Sequence, residues 1–265
     1  MTQADRERLR SMFDQAAELY DRARPGYPTA LFDDLGELAG IGPGSRVLEI
    51  GPGTGQATVP LAERGYRVVA VELGPDLAAV ARRNLARFPA VEVVTAAFED
   101  WPLPSEPFDL VLAATAFHWI DPAVRVPKAA DALRPGGALA TVVTHHIAGG
   151  DEGFFAEVQA CYERWDPDTP VGIRLPTPAE IPRSSDELHQ SPRFGPAAFR
   201  RYERDLSYTT ASYIEVLLTY SGHRALDPPA QANLLDCIAT LIDTRHGGRI
   251  TKLYLTELRV ASTRT

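Results

Sequence analysis

The 265-residue chain has little cysteine and no excess of positive charge. Its two cysteines, Cys161 and Cys237, match no metal-binding spacing and no disulfide framework, so they read as reduced, inert fillers. Lysine and arginine total 27 against 35 aspartate and glutamate, a net charge of −8. That balance argues against an extended nucleic-acid surface, because phosphate binding shows as a basic stripe. No run approaches the roughly 18 apolar residues of a membrane span. The first ten residues are polar and charged, without the apolar stretch of a signal peptide. The expectation is a cytoplasmic protein with no metal site, no nucleic-acid partner and no membrane. Internal repeats and low-complexity tracts are absent too. What is present, 45% hydrophobic and 23% charged residues, is the composition of a globular protein with a substantial core.

One stretch organises the rest. Residues 47–56 read Val-Leu-Glu-Ile-Gly-Pro-Gly-Thr-Gly-Gln. The apolar run 46–50 predicts a short buried strand, and the glycines after it predict a turn in which a ligand can lie against bare backbone. A helix over 57–64 follows, whose first N–H groups lack intrahelical partners and favour an anionic group. A dinucleotide fingerprint needs G-x-G-x-x-G. Here Gly51, Gly53 and Gly55 alternate, the sixth position is Gln56, and an acid, Glu49, stands inside the strand. A second strand over 66–72 ends in Glu72, about 20 residues beyond the glycines, where a carboxylate can accept from both ribose hydroxyls. An unpaired acid at the end of a buried strand is costly, so the two signals together point to a ribose-bearing ligand.

The pattern hydrophobic-hydrophobic-acid-hydrophobic-Gly-x-Gly-x-Gly over 47–55 resembles the first motif of class I S-adenosylmethionine-dependent methyltransferases. Arg-Pro-Gly-Tyr-Pro at 24–28, Phe-His-Trp at 117–119, Asp121-Pro122 and Arg-Pro-Gly-Gly at 134–137 resemble the small-molecule branch, the trans-aconitate methyltransferase-like and methyltransferase type 11 group. The resemblance implies an α/β fold, a Rossmann-like seven-stranded mixed sheet of order 3-2-1-4-5-7-6 flanked by helices. A helical and loop cap would follow strand five. It implies S-adenosyl-L-methionine as cofactor, and a small-molecule methyl acceptor, an organic acid or secondary metabolite. It also implies cofactor-binding positions at Glu49, Gly51, Gly53, Gly55, Gln56, Glu72, Leu73, Ala97, Phe98 and Ala114. Where the family often has an Asp facing adenine, this chain has Ala97, which leaves recognition to the backbone of 97–98 or to Glu99 and Asp100. Tyr20 and Arg24 are either contacts to the methionine end of the cofactor or a packing tyrosine and a surface arginine. Residues 1–45 would cover the cofactor, 46–147 bind it, 148–198 form a lid, and 199–265 complete sheet and cap, in a monomer or homodimer.

Taken in order, helical spacing predicts helices over 5–21, 29–39, 76–87, 122–133, 154–165, 211–220 and 229–245. Strands are expected over 91–95, 108–113, 138–144, 199–208 and 250–260. Residues 166–196 carry seven prolines and little periodicity, and read as a loop over the active site. His118, at the carboxyl end of strand four, is the first candidate base, and His145 the second. His145 and His146 are adjacent on a strand, so at most one can see a substrate. A carboxylate acceptor would call instead on Arg174, Arg183, Arg193 or Arg200, and Tyr162, Trp165, Tyr208, Tyr213 and Tyr220 could line a pocket or fill a core. Three other readings stay open: a non-catalytic protein that keeps the cofactor as ligand, a nucleic-acid methyltransferase, and an NAD-dependent oxidoreductase. Gln56 and Glu49 speak against the last.

Overall fold

Parallel strands buried on both faces read as continuous apolar runs; of the first four strands, which are parallel, the one over 91–95 lies at the sheet edge and is only partly buried. In the computed structural model, which describes residues 12–183 and 186–264, the four are β1 (Arg46–Ile50), β2 (Arg67–Glu72), β3 (Val91–Thr95) and β4 (Phe108–Ala114). Three longer strands follow, β5 (Leu133–Gly150), β6 (Ala198–Thr209) and β7 (Arg249–Ser262). The sheet order is β3-β2-β1-β4-β5-β7-β6, with β7 antiparallel to both neighbours. This is the expected order. The chain leaves β1 for β2 on one side and reaches β4 on the other, so a crevice opens at the carboxyl ends of β1 and β4.

Before β2 the helices are α1 (Ala17–Ala23), α2 (Thr29–Ala39) and α3 (Thr58–Glu63). Then come α4 (Pro75–Leu85), α5 (Pro122–Ala132), α6 (Glu152–Glu157), α7 (Gln159–Trp165) and α8 (Asp186–Gln190). Three more, α9 (Thr210–Leu217), α10 (Ser221–Ala225) and α11 (Pro228–Arg245), precede β7. Side-chain alternation splits the strands between two layers. Val47, Leu110 and Leu112 pack with Leu31, Phe32 and Leu35 of α2, whereas Leu48, Val111 and Leu139 pack with Phe98, Phe108 and Phe194. A third core joins the cap helices to the far ends of β6 and β7 through Phe154, Tyr213, Leu234, Ile238 and Tyr254.

Several expectations need correction. The first helix, expected over 5–21, begins outside the described residues. Its described part is a helical turn at 12–14, then α1, separated by the non-helical Ala16 at φ −130°. Strand five was expected to end at 144. It runs to Gly150 because β7 continues the ladder past it, pairing His145 with Leu255, His146 with Tyr254 and, after a bulge, Gly150 with Lys252. The 166–196 segment was expected over the active site. Instead Leu188 and Phe194 sink into the second core layer, and the Pro178 and Ile181 carbonyls accept from the Arg201 guanidinium.

The cysteines are the plainest correction. Cys161 on α7 and Cys237 on α11 form a disulfide, their Cα atoms 5.8 Å apart and 76 residues apart in sequence. Packing of two helices in the cap core brings them together, which no local spacing announces. Disulfides belong to oxidising compartments, so the reduced thiols no longer support a cytoplasmic expectation. Among the described residues no helix is long and apolar enough to cross a membrane. Replacing both cysteines by serine should cost the oxidised protein about 2–4 kcal/mol, since the bridge restricts a long loop of the unfolded chain. Urea unfolding of both proteins checks this: the difference should vanish with reductant, and a difference that persists would locate it in the serines.

Candidate active site

The turn after β1 depends on glycine. Gly51 and Gly53 have φ of 68° and 61°, in the left-handed region open to glycine. A Cβ on Gly51 would come 2.7 Å from that of Ala116, and one on Gly53 would lie 3.2 Å from the Tyr20 ring. Gly55 does different work: it lines neither cavity of the site and faces the Leu85 side chain of α4. The helix after the turn is shorter than expected, six residues from Thr58, so the cradle is backbone and carboxylate rather than a long helix terminus.

Glu72 ties this turn to the next. Its Oε2 accepts from the Gly53 N–H and its Oε1 from the Gly74 N–H, both at 2.9 Å. It is 6% exposed. Burial raises its pKa, and the backbone N–H bonds from Gly74 and Gly53 oppose that rise. One acid thus holds the loops after β1 and β2 in register, with an edge on a cleft of about 110 Å³ that Leu73, Ala96 and Phe98 also line. Ala97, between two lining residues, lines neither cavity. Its carbonyl accepts from the Asp100 and Trp101 N–H groups.

That cleft opens into a larger cavity of about 290 Å³, the two sharing Tyr20, Arg24, Gly51, Ala114 and Thr115. Glu49 and Gln56 line the larger one. Glu49 is 1% exposed, and its Oε2 has no hydrogen-bond partner among the described residues. Burial, with Glu72 adding to it, pushes its carboxyl up to about 7. Arg24 places its guanidinium 5.2 Å from the Tyr20 ring and 4.6 Å from the Tyr220 ring. Tyr27, from the same proline-rich stretch, shares a 3.0 Å hydrogen bond with Thr115 Oγ1. Thr115 is the one described non-glycine residue at positive φ, 55°. Such strain gathers at ligand sites, and nothing in a Thr after strand four signals it.

His118 lies on a one-turn 3-10 helix after β4 and lines the larger cavity; burial, then Arg125, lowers its pKa. His145 does not reach the site. Its neighbour His146 does, and alternation along β5 sends the two to opposite faces. His145 instead faces the charges of Glu257, Arg259 and Arg201. The His146 ring lies 5.2 Å from that of Tyr220 and 5.4 Å from that of Tyr254, and burial, then Lys252, pushes it down to about 3. None of the four cap arginines lines either cavity. Arg174 pairs with Glu180 and Arg193 with Asp131. The arginines that do are Arg24 and Arg204, the latter opposite Tyr254 in the β6–β7 register. Of the aromatic candidates Tyr220 lines the cavity, while Tyr162, Trp165, Tyr208 and Tyr213 belong to the cap core.

Residues 48–141 match the family model described as a methyltransferase domain. The fold is that of a solved structure from Anaeromyxobacter dehalogenans, provisionally named a type II methyltransferase: TM-score 0.60, 26% identity, over 89% of this chain and 97% of that one. Residues 48–141 are a methyltransferase domain. A curated relative, an uncharacterized methyltransferase of Mycobacterium bovis, is 42% identical over 130 residues, 49% of this chain and 51% of the relative. The chain therefore spans about half the length of the curated relatives it matches. Haemonchus contortus phosphoethanolamine N-methyltransferase 2, solved with phosphomonomethylethanolamine and S-adenosylhomocysteine, shares the fold at TM-score 0.53 and 17% identity, over 95% of this chain and 58% of that one.

Proposed function

We propose that this protein transfers a methyl group from S-adenosylmethionine to a small-molecule acceptor, an organic acid or secondary metabolite. The observation that carries the reading is Glu72, a buried acid held by two loop N–H groups with an edge on the smaller cleft. Each of its oxygens keeps a lone pair for a ribose hydroxyl. The other groups fit the same ligand. Leu73 and Phe98 would flank adenine, and the unpartnered Glu49 Oε2 suits an ammonium. Arg24 suits the cofactor carboxylate, and Gly51 and Gly53 leave room that any Cβ would fill.

The cofactor supplies an already activated methyl group, so the protein's task is alignment. Orientation alone can contribute roughly 7–11 kcal/mol. Enclosure of the larger cavity by 13–27 and by 220–221 favours a small acceptor over a polymer, as does the net charge of −8. The test is calorimetric titration with S-adenosylhomocysteine, with NADH as control. Binding of the first alone is expected, and binding of NADH instead would overturn the reading. Glu72→Ala should weaken S-adenosylhomocysteine at least about tenfold, because hydrogen bonds to a charged group contribute roughly 1.5–3 kcal/mol. Unchanged affinity in a folded variant would remove Glu72 from the ribose.

A further inference from the structure

Helix α4 buries Leu77, Ala78, Val80, Ala81 and Leu85, and one polar residue, the half-buried Asn84, interrupts that apolar face. Its amide has two partners. Nδ2 donates to Asp21 Oδ1 at 2.8 Å and to the Thr54 carbonyl at 2.9 Å. A carboxylate and a carbonyl can only accept, so the nitrogen must be the atom that faces them, and both of its N–H groups are taken.

The two partners stand on opposite walls of the site. Thr54 belongs to the glycine turn, next to Gly53, whose N–H is held by Glu72. Asp21 belongs to α1 and follows Tyr20, which lines both cavities and whose ring lies 3.2 Å from the place of a Gly53 Cβ. Arg24, three residues further on, lines both cavities as well. One amide therefore spans from the turn to the segment that covers it.

Little else fixes α1 in place. Ala17 is its one buried residue. Glu18 pairs with Arg83 of α4 at 2.7 Å and Arg22 with Glu215 of α9 at 2.9 Å, and both pairs are exposed. Exposed pairs contribute little and are screened by salt. A half-buried hydrogen bond to a charged acceptor is worth more.

We propose that Asn84 is a positioning residue for the cofactor: its amide sets the spacing between the glycine turn and α1 before any ligand enters. This rests on the methyltransferase reading. A turn built on Gly51 and Gly53 has backbone freedom to lose. Holding it against α1 in advance removes an ordering cost that binding would otherwise meet. Without the amide the two walls separate more easily, and a bound cofactor leaves sooner.

The test is calorimetric titration of folded variants with S-adenosylhomocysteine, with dissociation followed by tryptophan fluorescence, since Trp119 lines both cavities. Asn84→Ala should weaken the ligand about tenfold, chiefly through faster dissociation, because two hydrogen bonds are lost and one is to a charged group. Asn84→Asp keeps the shape but sets a carboxylate against Asp21 and the Thr54 carbonyl, and should cost at least as much. Adding Asp21→Asn to Asn84→Asp lets amide and carboxylate change places, which should recover part of the loss. Asp21→Ala leaves α4 and the Thr54 bond intact and should weaken binding about threefold. Arg83→Ala, which removes only an exposed ion pair, should stay within about twofold of wild type. Unchanged affinity in Asn84→Ala or Asp21→Ala, an equal loss in Arg83→Ala, or no recovery in the paired variant would overturn the proposal. Failure of the methyltransferase reading shows separately, as no binding of S-adenosylhomocysteine to the wild-type protein.

Discussion

Glu49→Gln should make the ligand-free protein more stable at pH 8 while weakening its hold on S-adenosylhomocysteine. The carboxyl has a pKa of about 7 in the fold, against roughly 4.3 in an unfolded chain. Between those values the unfolded state gives up a proton that the folded state keeps. Folding therefore loses stability as pH rises from about 4.3 to 7, in the end by roughly 4 kcal/mol. Glutamine carries no such penalty. Thermal unfolding should show the variant ahead at pH 8 and level with wild type at pH 4. Binding should move the other way. The buried carboxylate's unpartnered oxygen is the group that would receive the cofactor's ammonium, and loss of that charge should weaken S-adenosylhomocysteine at least about tenfold at pH 8. A variant that gains no stability at pH 8, or keeps full affinity, would refute the assignment of a charged, ligand-facing Glu49.

Glu257→Gln should destabilise the protein by about 3–5 kcal/mol, the usual cost of removing one member of a buried ion pair. Glu257 is fully buried on β7. Its Oε2 accepts from Arg201 Nε at 2.6 Å and its Oε1 from Arg259 Nε at 2.7 Å. Without the carboxylate, two guanidiniums face each other across β6 and β7. The Arg201 that holds the Pro178 and Ile181 carbonyls loses its anchor too. The urea midpoint should fall with the slope unchanged, and protease cleavage near 176–181 should speed up. Replacing all three residues by apolar ones of similar volume should recover most of the loss, because a buried ion cluster is seldom more stable than a packed apolar one. An unchanged midpoint in the single variant would show that the network adds nothing. The consequence reaches the site, since the same β7 carries Tyr254 and Thr256 into the cavity wall.

Legibility in the sequence followed the range of the interactions. Strands β1 and β3 and helix α2 lie at the positions expected from apolar runs and helical spacing, because the buried β1 and the one-sided α2 write their burial into their own residues, and the valines of the edge strand β3 mark it as a strand. The glycine turn and the acid closing β2 were legible for the same reason: each is a local demand on backbone or charge. His145 against His146 was not. Alternation says that one of them faces inward, and only the pairing of β5 with β7 says which. Arg204 was missed because its relation to Tyr254 is a register between strands separated by three helices.

The sequence by itself therefore determined the glycine turn after β1 and the acid that closes β2, whose bonded N–H partners lie 19 and 2 residues away. Tertiary structure alone decided the disulfide between α7 and α11, the anchoring of the proline-rich segment away from the cavity, and the wall on which Arg204 and His146 meet. Those features join residues that are distant in the chain. Their energies depend on which faces pack, and no local pattern of residues encodes that.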